Sequence, residues 1–345
     1  MPASFPRHSA FCAGLAILAV LGLGPATASA QVTVKMATLV PKGSAWHQVL
    51  LEVADKWNKI SGGRVKVVLF PGGTQGDDPD VVRKMNLRTL DAAVLTVVGV
   101  AEIDRAVYAL SVPMMFNDYD EVYSVLEKVR PKLEARMEAK GFVVLNWVDA
   151  GWLHFFTTKP VASPDDLRKL ALFQWAGNPK ELEIWNSAGF MTRPGASSDL
   201  PTGLKTGLYQ AFTASPQVAV IMGYFEDARN MTDLNWALLL GATVIRKDVW
   251  DRVPADIKPA LLQAQRDAAL KLQTEIRQSS AKDVQNMKAR GLNVVPVDAR
   301  TMDLWRAAVD KAKDKIRGDF VPADAYDEAL RYRDEYRKSK PAPKK

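Results

Sequence analysis

The chain has little of the side-chain chemistry on which most enzymes and disulfide-stabilised proteins depend. It contains one cysteine, Cys12, and three histidines, His8, His47 and His154, in 345 residues. After residue 30 only His47 and His154 remain, far apart in the sequence and without any cysteine. They cannot assemble a zinc site of histidine and cysteine ligands. A Walker loop, a Gly-x-Ser-x-Gly elbow and a dinucleotide-binding glycine motif are also missing. The sequence therefore favours a binding protein without cofactor or metal, although paired carboxylates leave a hydrolase open.

Long apolar runs are scarce as well. Residues 10–23 form one, but it is shorter than the ~20 residues of a membrane-spanning helix. Arg7 precedes this run and Ala28-Ser29-Ala30 follows it, which is typical of a cleaved secretory signal. We therefore predict a signal peptide over residues 1–30, export to the periplasm and no stable membrane insertion. Because Cys12 would leave with the signal, the mature chain could form no disulfide.

The charge pattern does not indicate a nucleic-acid partner. The formal net charge is +7, and the basic residues are dispersed apart from the tail at residues 331–345. Basic side chains interleaved with aromatic ones, as in many nucleic-acid-binding surfaces, are not found. We interpret the basic tail as a solvated chain end.

Residues 46–79 show an α/β pattern. An apolar stripe that includes Trp46 and Trp57 predicts a helix, which Gly62-Gly63 can end. Alternating apolar residues over 65–69 then predict a strand, and Asp78 before Pro79 predicts the N-cap of another helix. Small molecules bind at the carboxyl ends of strands in such folds, so the loops after the strands are the candidate site.

The same alternation continues along the chain. Strands are predicted at residues 32–38, 91–98, 142–148, 152–157, 169–175, 209–213 and 242–245. Helices are predicted at residues 119–140, 179–188, 259–290, 303–317 and 324–338, the last two at the surface. The helix over 259–290 would be about 48 Å long, longer than one small domain, so it could either brace two lobes or pack along a single domain.

These segments resemble the solute-binding proteins of TRAP transporters (tripartite ATP-independent periplasmic transporters). The resemblance rests on the helix before Gly62, the run GGRVKV at 62–67 and Pro71-Gly72-Gly73, and it extends over residues 81–85, 109–116 and 165–216. It implies an α/β, two-lobe periplasmic binding protein of the type II-like, Venus-flytrap kind. Lobe I would comprise residues 31–150 and lobe II residues 151–240, and residues 241–340 would return to lobe I with the long bracing helix and the C-terminal helices.

The resemblance also implies a function. A small solute would be captured by hinge closure and delivered to membrane permease subunits that are driven by an ion gradient. Two other classes stay open: a partner that presents its ligand to a periplasmic sensor, and a secreted enzyme on the same scaffold. Clustered titratable groups in the cleft would favour the enzyme.

In lobe I the candidate ligand contacts follow the strands. They are Ser44, Trp46, Gln75 and Thr96. Ser44 is also a good helix N-cap, and Trp46 lies on the apolar stripe of its helix, so capping and packing are the competing roles.

In lobe II the sequence departs from the family it resembles. Members that bind organic acids carry an arginine in a strand where this chain has Phe173, and phenylalanine cannot form the paired hydrogen bonds by which arginine holds a carboxylate. We therefore predict an aromatic wall of Trp152, Phe173, Trp175 and Phe212, with Asn178 and Thr213 as polar contacts. Arg193 is the candidate replacement for the missing cation, so an acidic ligand stays open.

Overall fold

The computed structural model describes residues 31–340, so the predicted signal peptide and Cys12 lie outside the described residues. The strands are β1 (Val32–Thr38), β2 (Val65–Phe70), β3 (Ala92–Thr96), β4 (Phe142–Trp152), β5 (His154–Thr157), β6 (Leu172–Trp175), β7 (Thr192–Gly195), β8 (Ala211–Ala214), β9 (Asn230–Thr232), β10 (Leu238–Arg246) and β11 (Asn293–Val295). The helices are α1 (Ala45–Ile60), α2 (Asp78–Asn86), α3 (Val97–Ile103), α4 (Tyr119–Ala139), α5 (Pro164–Leu167), α6 (Pro179–Ser187), α7 (Leu200–Thr206), α8 (Pro216–Met222), α9 (Lys247–Asp251), α10 (Lys258–Ala289), α11 (Ala299–Ile316) and α12 (Ala323–Ser339). Within residues 31–340, none of these helices is long and apolar enough to span a bilayer.

The strands form two sheets, one in each lobe. The first sheet has the order β2-β1-β3-β10-β4, with β1 parallel to β2 and β3, and with β10 antiparallel to both of its neighbours. The second sheet has the order β11-β9-β5-β8-β6-β7, with β6 parallel to β7 and β8. The predicted α/β fold with two lobes is confirmed.

Two chain segments connect the sheets side by side. β4 of the first sheet leads into β5 of the second, and β9 leads back into β10. Between them the Leu153 amide donates to the Ala237 carbonyl, and the Trp236 amide donates to the Leu153 carbonyl, both at 2.8 Å. These paired segments connect the two lobes.

Helix α10 packs against both lobes. Near its start, Leu261 and Ala264 join the apolar cluster of the first sheet around Trp57, and near its end Met287 joins the cluster of the second sheet around Phe212. Its 32 residues span about 48 Å. The helix thus has the bracing position that its predicted length suggested.

Some local predictions are wrong. The N-cap of α2 is Asp77, and Asp78 is its first helical residue, buried beneath Thr96. Residues 97 and 98, which continue the apolar run of β3, start α3 instead, because the Thr96 hydroxyl accepts from the Val98 amide. The predicted strand over 152–157 is divided between two sheets, since Trp152 ends β4 and His154 begins β5.

The return of residues 241–340 to the first lobe is incomplete. β11 pairs with β9 at the edge of the second sheet. Trp305 of α11 is buried in the second lobe's apolar cluster, where its indole nitrogen donates to the Ala162 carbonyl at 2.7 Å. Ile316, at the end of α11, joins the first lobe's cluster. Helix α11 is therefore a surface helix, as its sequence suggested, whose buried side also bridges the two lobes.

Candidate functional site

A cavity of about 720 Å³ lies between the lobes. Its lining includes the last residues of parallel strands in both sheets, namely Thr38, Thr96, Trp175 and Ala214. This is where ligands bind in open α/β sheets, and the volume lies within the roughly 300–1,000 Å³ of small-molecule sites. The loops that follow the strands do form the candidate site.

The cavity wall is largely apolar. Lobe I contributes Trp46 and Val97, and lobe II contributes Phe173, Trp175 and Trp236. Helix α11 adds an apolar stripe at helical spacing, made of Ala308, Val309, Ala312 and Ile316. Sequence reasoning missed this stripe, although the one-face periodicity of residues 308–316 was its signal.

No lysine, arginine or histidine of residues 31–340 lines this cavity. Its charged lining residues are four carboxylates, Asp77, Asp80, Asp149 and Glu181. Any anion enclosed here would therefore meet negative groups without a compensating cation.

Protein donors hold each of these carboxylates. Asp77 accepts from the amide of Ser197 at 2.9 Å and from its hydroxyl, and Asp80 pairs with Arg83 at 2.9 Å. Asp149 accepts from the Tyr123 hydroxyl at 2.5 Å and from the Gly151 amide at 3.0 Å. Glu181 accepts from the Asn178 amide at 2.9 Å.

Burial shapes the two innermost carboxyl groups. It raises the pKa of Glu181 above its ordinary value, with the Trp185 and Asn178 hydrogen bonds acting in the opposite direction. It also raises the pKa of Asp149, against the hydrogen bonds from Tyr123 and Gly151. The cavity wall therefore disfavours charge.

One polar donor of the wall has no partner. The indole nitrogen of Trp46 is buried and has no hydrogen-bond partner within the described part of the chain. Gln174, 8 % exposed, lines the opposite lobe with an amide that can donate and accept. Sequence reasoning missed Gln174, although it lies between two predicted wall residues. Both side chains line the cavity, one from each lobe.

Five predicted ligand contacts line the cavity: Trp46, Thr96, Phe173, Trp175 and Thr213. The Thr96 hydroxyl already donates to Asp78 at 2.6 Å and accepts from the Val98 amide at 3.3 Å, so its hydrogen-bonding capacity is largely used within lobe I.

The other six do not line it: Ser44, Gln75, Trp152, Asn178, Arg193 and Phe212. Ser44 is the N-cap of α1 and accepts from the His47 amide at 3.2 Å. The Gln75 side chain accepts from Lys84 at 3.2 Å. Both side chains serve local structure.

The predicted aromatic wall is smaller than expected. Phe212 is fully buried and stacks on Phe156 with ring centroids 5.5 Å apart, and Trp152 packs against Tyr119 at 5.6 Å. Both are core residues of their lobes, since each ring has an aromatic partner inside the protein.

The predicted replacement cation is also outside the wall. Arg193 is exposed on β7, the edge strand of the second sheet, so it does not supply a charge to the cavity. Asn178 is the N-cap of α6, where its side chain accepts from the Glu181 amide.

Contacts across the cleft hold the lobes together. Besides the bonds from Ser197 to Asp77, the Asn178 amide donates to the Tyr108 hydroxyl at 2.7 Å. At Gly177 the backbone comes so close to lobe I that a Cβ atom would lie 2.7 Å from Cγ of Pro79. This arrangement is a closed one.

No group of three or more His, Cys, Asp or Glu side chains within residues 31–340 is placed to hold a metal ion. His47 accepts from the Gly43 amide, and His154 is buried against the Thr232 carbonyl. The interpretation of both histidines as structural agrees with these contacts.

Comparison with known proteins identifies the family. Residues 36–318 match the family model described as bacterial extracellular solute-binding protein, family 7 (DctP). A solute-binding protein of Verminephrobacter eiseniae is 27% identical over 273 residues, covering 78% of this chain and 81% of its own. The 2,3-diketo-L-gulonate-binding periplasmic protein of Escherichia coli is 25% identical over 275 residues, covering 78% and 82%.

Solved structures share the fold. A TRAP periplasmic solute-binding protein of Ralstonia eutropha with bound (S)-2-acetolactate superposes with a TM-score of 0.82 at 20% identity, covering 88% of this chain and 99% of its own. One of Roseobacter denitrificans with bound L-galactonate has a TM-score of 0.78 at 19% identity, covering 88% and 99%. The chain therefore belongs to the DctP family, the solute-binding proteins of TRAP transporters.

Proposed function

We propose that this protein captures a small solute in the cleft between its lobes, in the periplasm, and delivers it to the membrane permease subunits of a TRAP transporter. The observation that carries the proposal is a cavity of about 720 Å³ lined by both lobes, which are connected by two paired segments. A ligand that touches both walls stabilises the closed form, because it binds that form better than the open one. The predicted signal at residues 1–30 supports the periplasmic location.

The ligand contacts that we propose lie on both lobes. Trp46 would contact the solute from lobe I, and Phe173, Gln174, Trp175 and Thr213 from lobe II. Aromatic faces supply apolar area, and the indole and amide groups supply orientation.

Two other functions make different demands. A secreted enzyme on this scaffold would turn its solute over without a permease, and a sensor partner would bind it without supporting uptake. The cavity carboxylates already have protein donors, which disfavours general acid–base catalysis.

Uptake and binding together test the proposal. The mature protein, residues 31–345, is screened by thermal shift, and a solute at about 100 times its Kd should add about 2.7 kcal/mol of stability. Uptake of that solute by cells with the permease subunits should require this protein. Turnover of the bound solute, or uptake without the protein, would contradict the proposal.

Two substitutions should open the lobes by different routes. Asp77→Ala removes the acceptor of both Ser197 bonds, and Gly177→Ala places a methyl group against Pro79. We expect each to shift the open–closed equilibrium at least about tenfold toward the open form. For Asp77→Ala the reason is that lost hydrogen bonds to a charged group cost about 1.5–3 kcal/mol, and for Gly177→Ala it is that the added Cβ would lie only 2.7 Å from Cγ of Pro79.

Small-angle X-ray scattering measures this shift as a larger radius of gyration. Ser187→Ala, an exposed change at the end of α6, is the control and should leave the radius unchanged. An unchanged radius in both cleft variants would show that these contacts do not govern closure.

A further inference from the structure

We propose that the solute is uncharged and largely apolar, a ring-bearing molecule with a carbonyl or ether acceptor that meets the Trp46 indole. This inference rests on the proposed function and names its solute class. It sets the chain apart from the two solved relatives described above, whose bound ligands are acids.

The charge of the cavity wall disfavours an acidic solute. A buried carboxylate ligand needs a cation or several donors, because transfer of an unpaired ion out of water costs far more than apolar contacts return. This cavity offers no basic side chain among residues 31–340, and it already holds four carboxylates. An acidic solute would add a like charge.

The carboxylates of the cavity wall are not placed for a cationic solute. An enclosed cation would gain most from a carboxylate whose charge no protein donor already offsets. Here Asp77 accepts from Ser197, Asp149 from Tyr123 and Gly151, and Glu181 from Asn178. Asp80 pairs with its helix neighbour Arg83. The cavity lacks an acidic group reserved for a ligand.

The cavity wall offers a ligand mainly aromatic and aliphatic area. Phe173 and Trp175 present aromatic area from lobe II, and the α11 stripe adds aliphatic area. Planar rings pack well against such faces. The solute therefore gains most from apolar contact.

The lobe I wall of the cavity has a buried donor without a partner among the described residues, the indole nitrogen of Trp46. A buried donor without a partner costs free energy, so the Trp46 indole nitrogen is a feature that a ligand acceptor would satisfy. Indole nitrogen only donates, which selects a carbonyl or ether oxygen over a hydroxyl used as a donor. Gln174 faces the same cavity from lobe II.

Size-matched probes that differ in charge test the inference. Calorimetry compares 2-acetylnaphthalene with 2-naphthoate and 2-naphthylmethylamine, and benzamide with benzoate and benzylamine. Galactonate and acetolactate are included as the acids of the relatives. We expect the neutral member of each series to bind at least about tenfold more tightly than the charged ones, with a Kd that is equal at 20 mM and 500 mM NaCl because no ion pair is screened.

Two tryptophan variants test the acceptor. Trp46→Phe keeps a ring and removes the N–H, so 2-acetylnaphthalene should bind about five- to tenfold more weakly, while 2-ethylnaphthalene, which lacks the oxygen, should be unaffected. Trp152→Phe, the same change in a core residue outside the cavity wall, is the matched control and should alter neither. Equal weakening of both probes by Trp46→Phe would overturn the role of the indole N–H.

The remaining outcomes separate the two proposals. Tighter binding of an acid or an amine than of its neutral partner would overturn the inference and leave the solute-binding function standing. Failure of every probe would also overturn the inference, whereas the solute-binding function falls only if uptake of its solute does not require this protein.

Discussion

Replacing Trp57 by alanine should lower the free energy of unfolding by about 3–5 kcal/mol. The side chain is 0% exposed, its ring centroid lies 6.0 Å from that of Trp250, and its indole nitrogen donates to the Leu261 carbonyl at 3.1 Å. The change therefore leaves a large cavity between α1 and α10 and removes a buried hydrogen bond between them. Urea unfolding of residues 31–345 measures the loss, which is a large share of the roughly 5–15 kcal/mol of an ordinary domain.

Two further variants separate the causes. Trp57→Phe keeps much of the ring and should cost about 1–3 kcal/mol, chiefly through the unmade bond to Leu261. Leu270→Ala, on the partner helix α10 but 65% exposed, should stay within about 0.5 kcal/mol of the parent. A loss below about 1 kcal/mol for Trp57→Ala would show that α10 is not anchored through this residue.

Asp78 should make the folded state less stable as the pH rises from about 4 to above 6. Burial raises the pKa of this carboxyl from 3.8 to about 6, although the hydroxyl and amide of Thr96 act in the opposite direction. Below the unfolded pKa the group is protonated in both states and imposes no penalty. Above the folded pKa it must ionise inside the protein, which costs about 3 kcal/mol relative to the unfolded chain.

The comparison with Asp78→Asn isolates this contribution. Unfolding free energies are measured for both proteins between pH 4 and pH 7.5, and the variant should gain about 2.4 kcal/mol on the parent over that range, since about 0.6 kcal/mol is already lost at pH 4. Asn86→Ala, an exposed change at the end of the same helix that removes no titratable group, is the control and should show a difference that does not vary with pH. A parent–variant difference that stays constant for Asp78→Asn would contradict the buried, proton-binding role.

The sequence predicts much of this fold because its periodic signals are local. Alternation over 65–69 and the glycines at 62 and 63 place β2 and the end of α1 to within a residue. The start of α3 is harder to predict, because Val97 and Val98 continue an apolar strand pattern and only the Thr96 cap reverses it. Asp77 and Asp78 are both candidates for one capping position, and the contact that distinguishes Asp78, its hydrogen bonds from Thr96, comes from 18 residues later in the chain.

The candidate site is less predictable, because a strand aromatic looks the same whether it faces a cavity or the core. Phe173 and Phe212 belong to adjacent strands, yet only Phe173 lines the cleft, while Phe212 stacks on Phe156. The missing cation is also a property of the assembled wall. It becomes visible only when both lobes are placed together and Arg193 is found at an outer edge.

The position of β10 sets the order in which the molecule can be assembled. β10 lies between β3 and β4, so Leu238–Arg246 must be available before the first sheet is continuous. A growing chain that has passed Trp152 contains β1, β2, β3 and β4 but not β10, the strand that joins β3 to β4. Pairing over such sequence separations is slow, because loop closure must come before the contacts that reward it. Most of the chain must therefore be synthesised before its first lobe can become a stable unit, which leaves a long interval in which it is still extended enough to be threaded through a narrow channel.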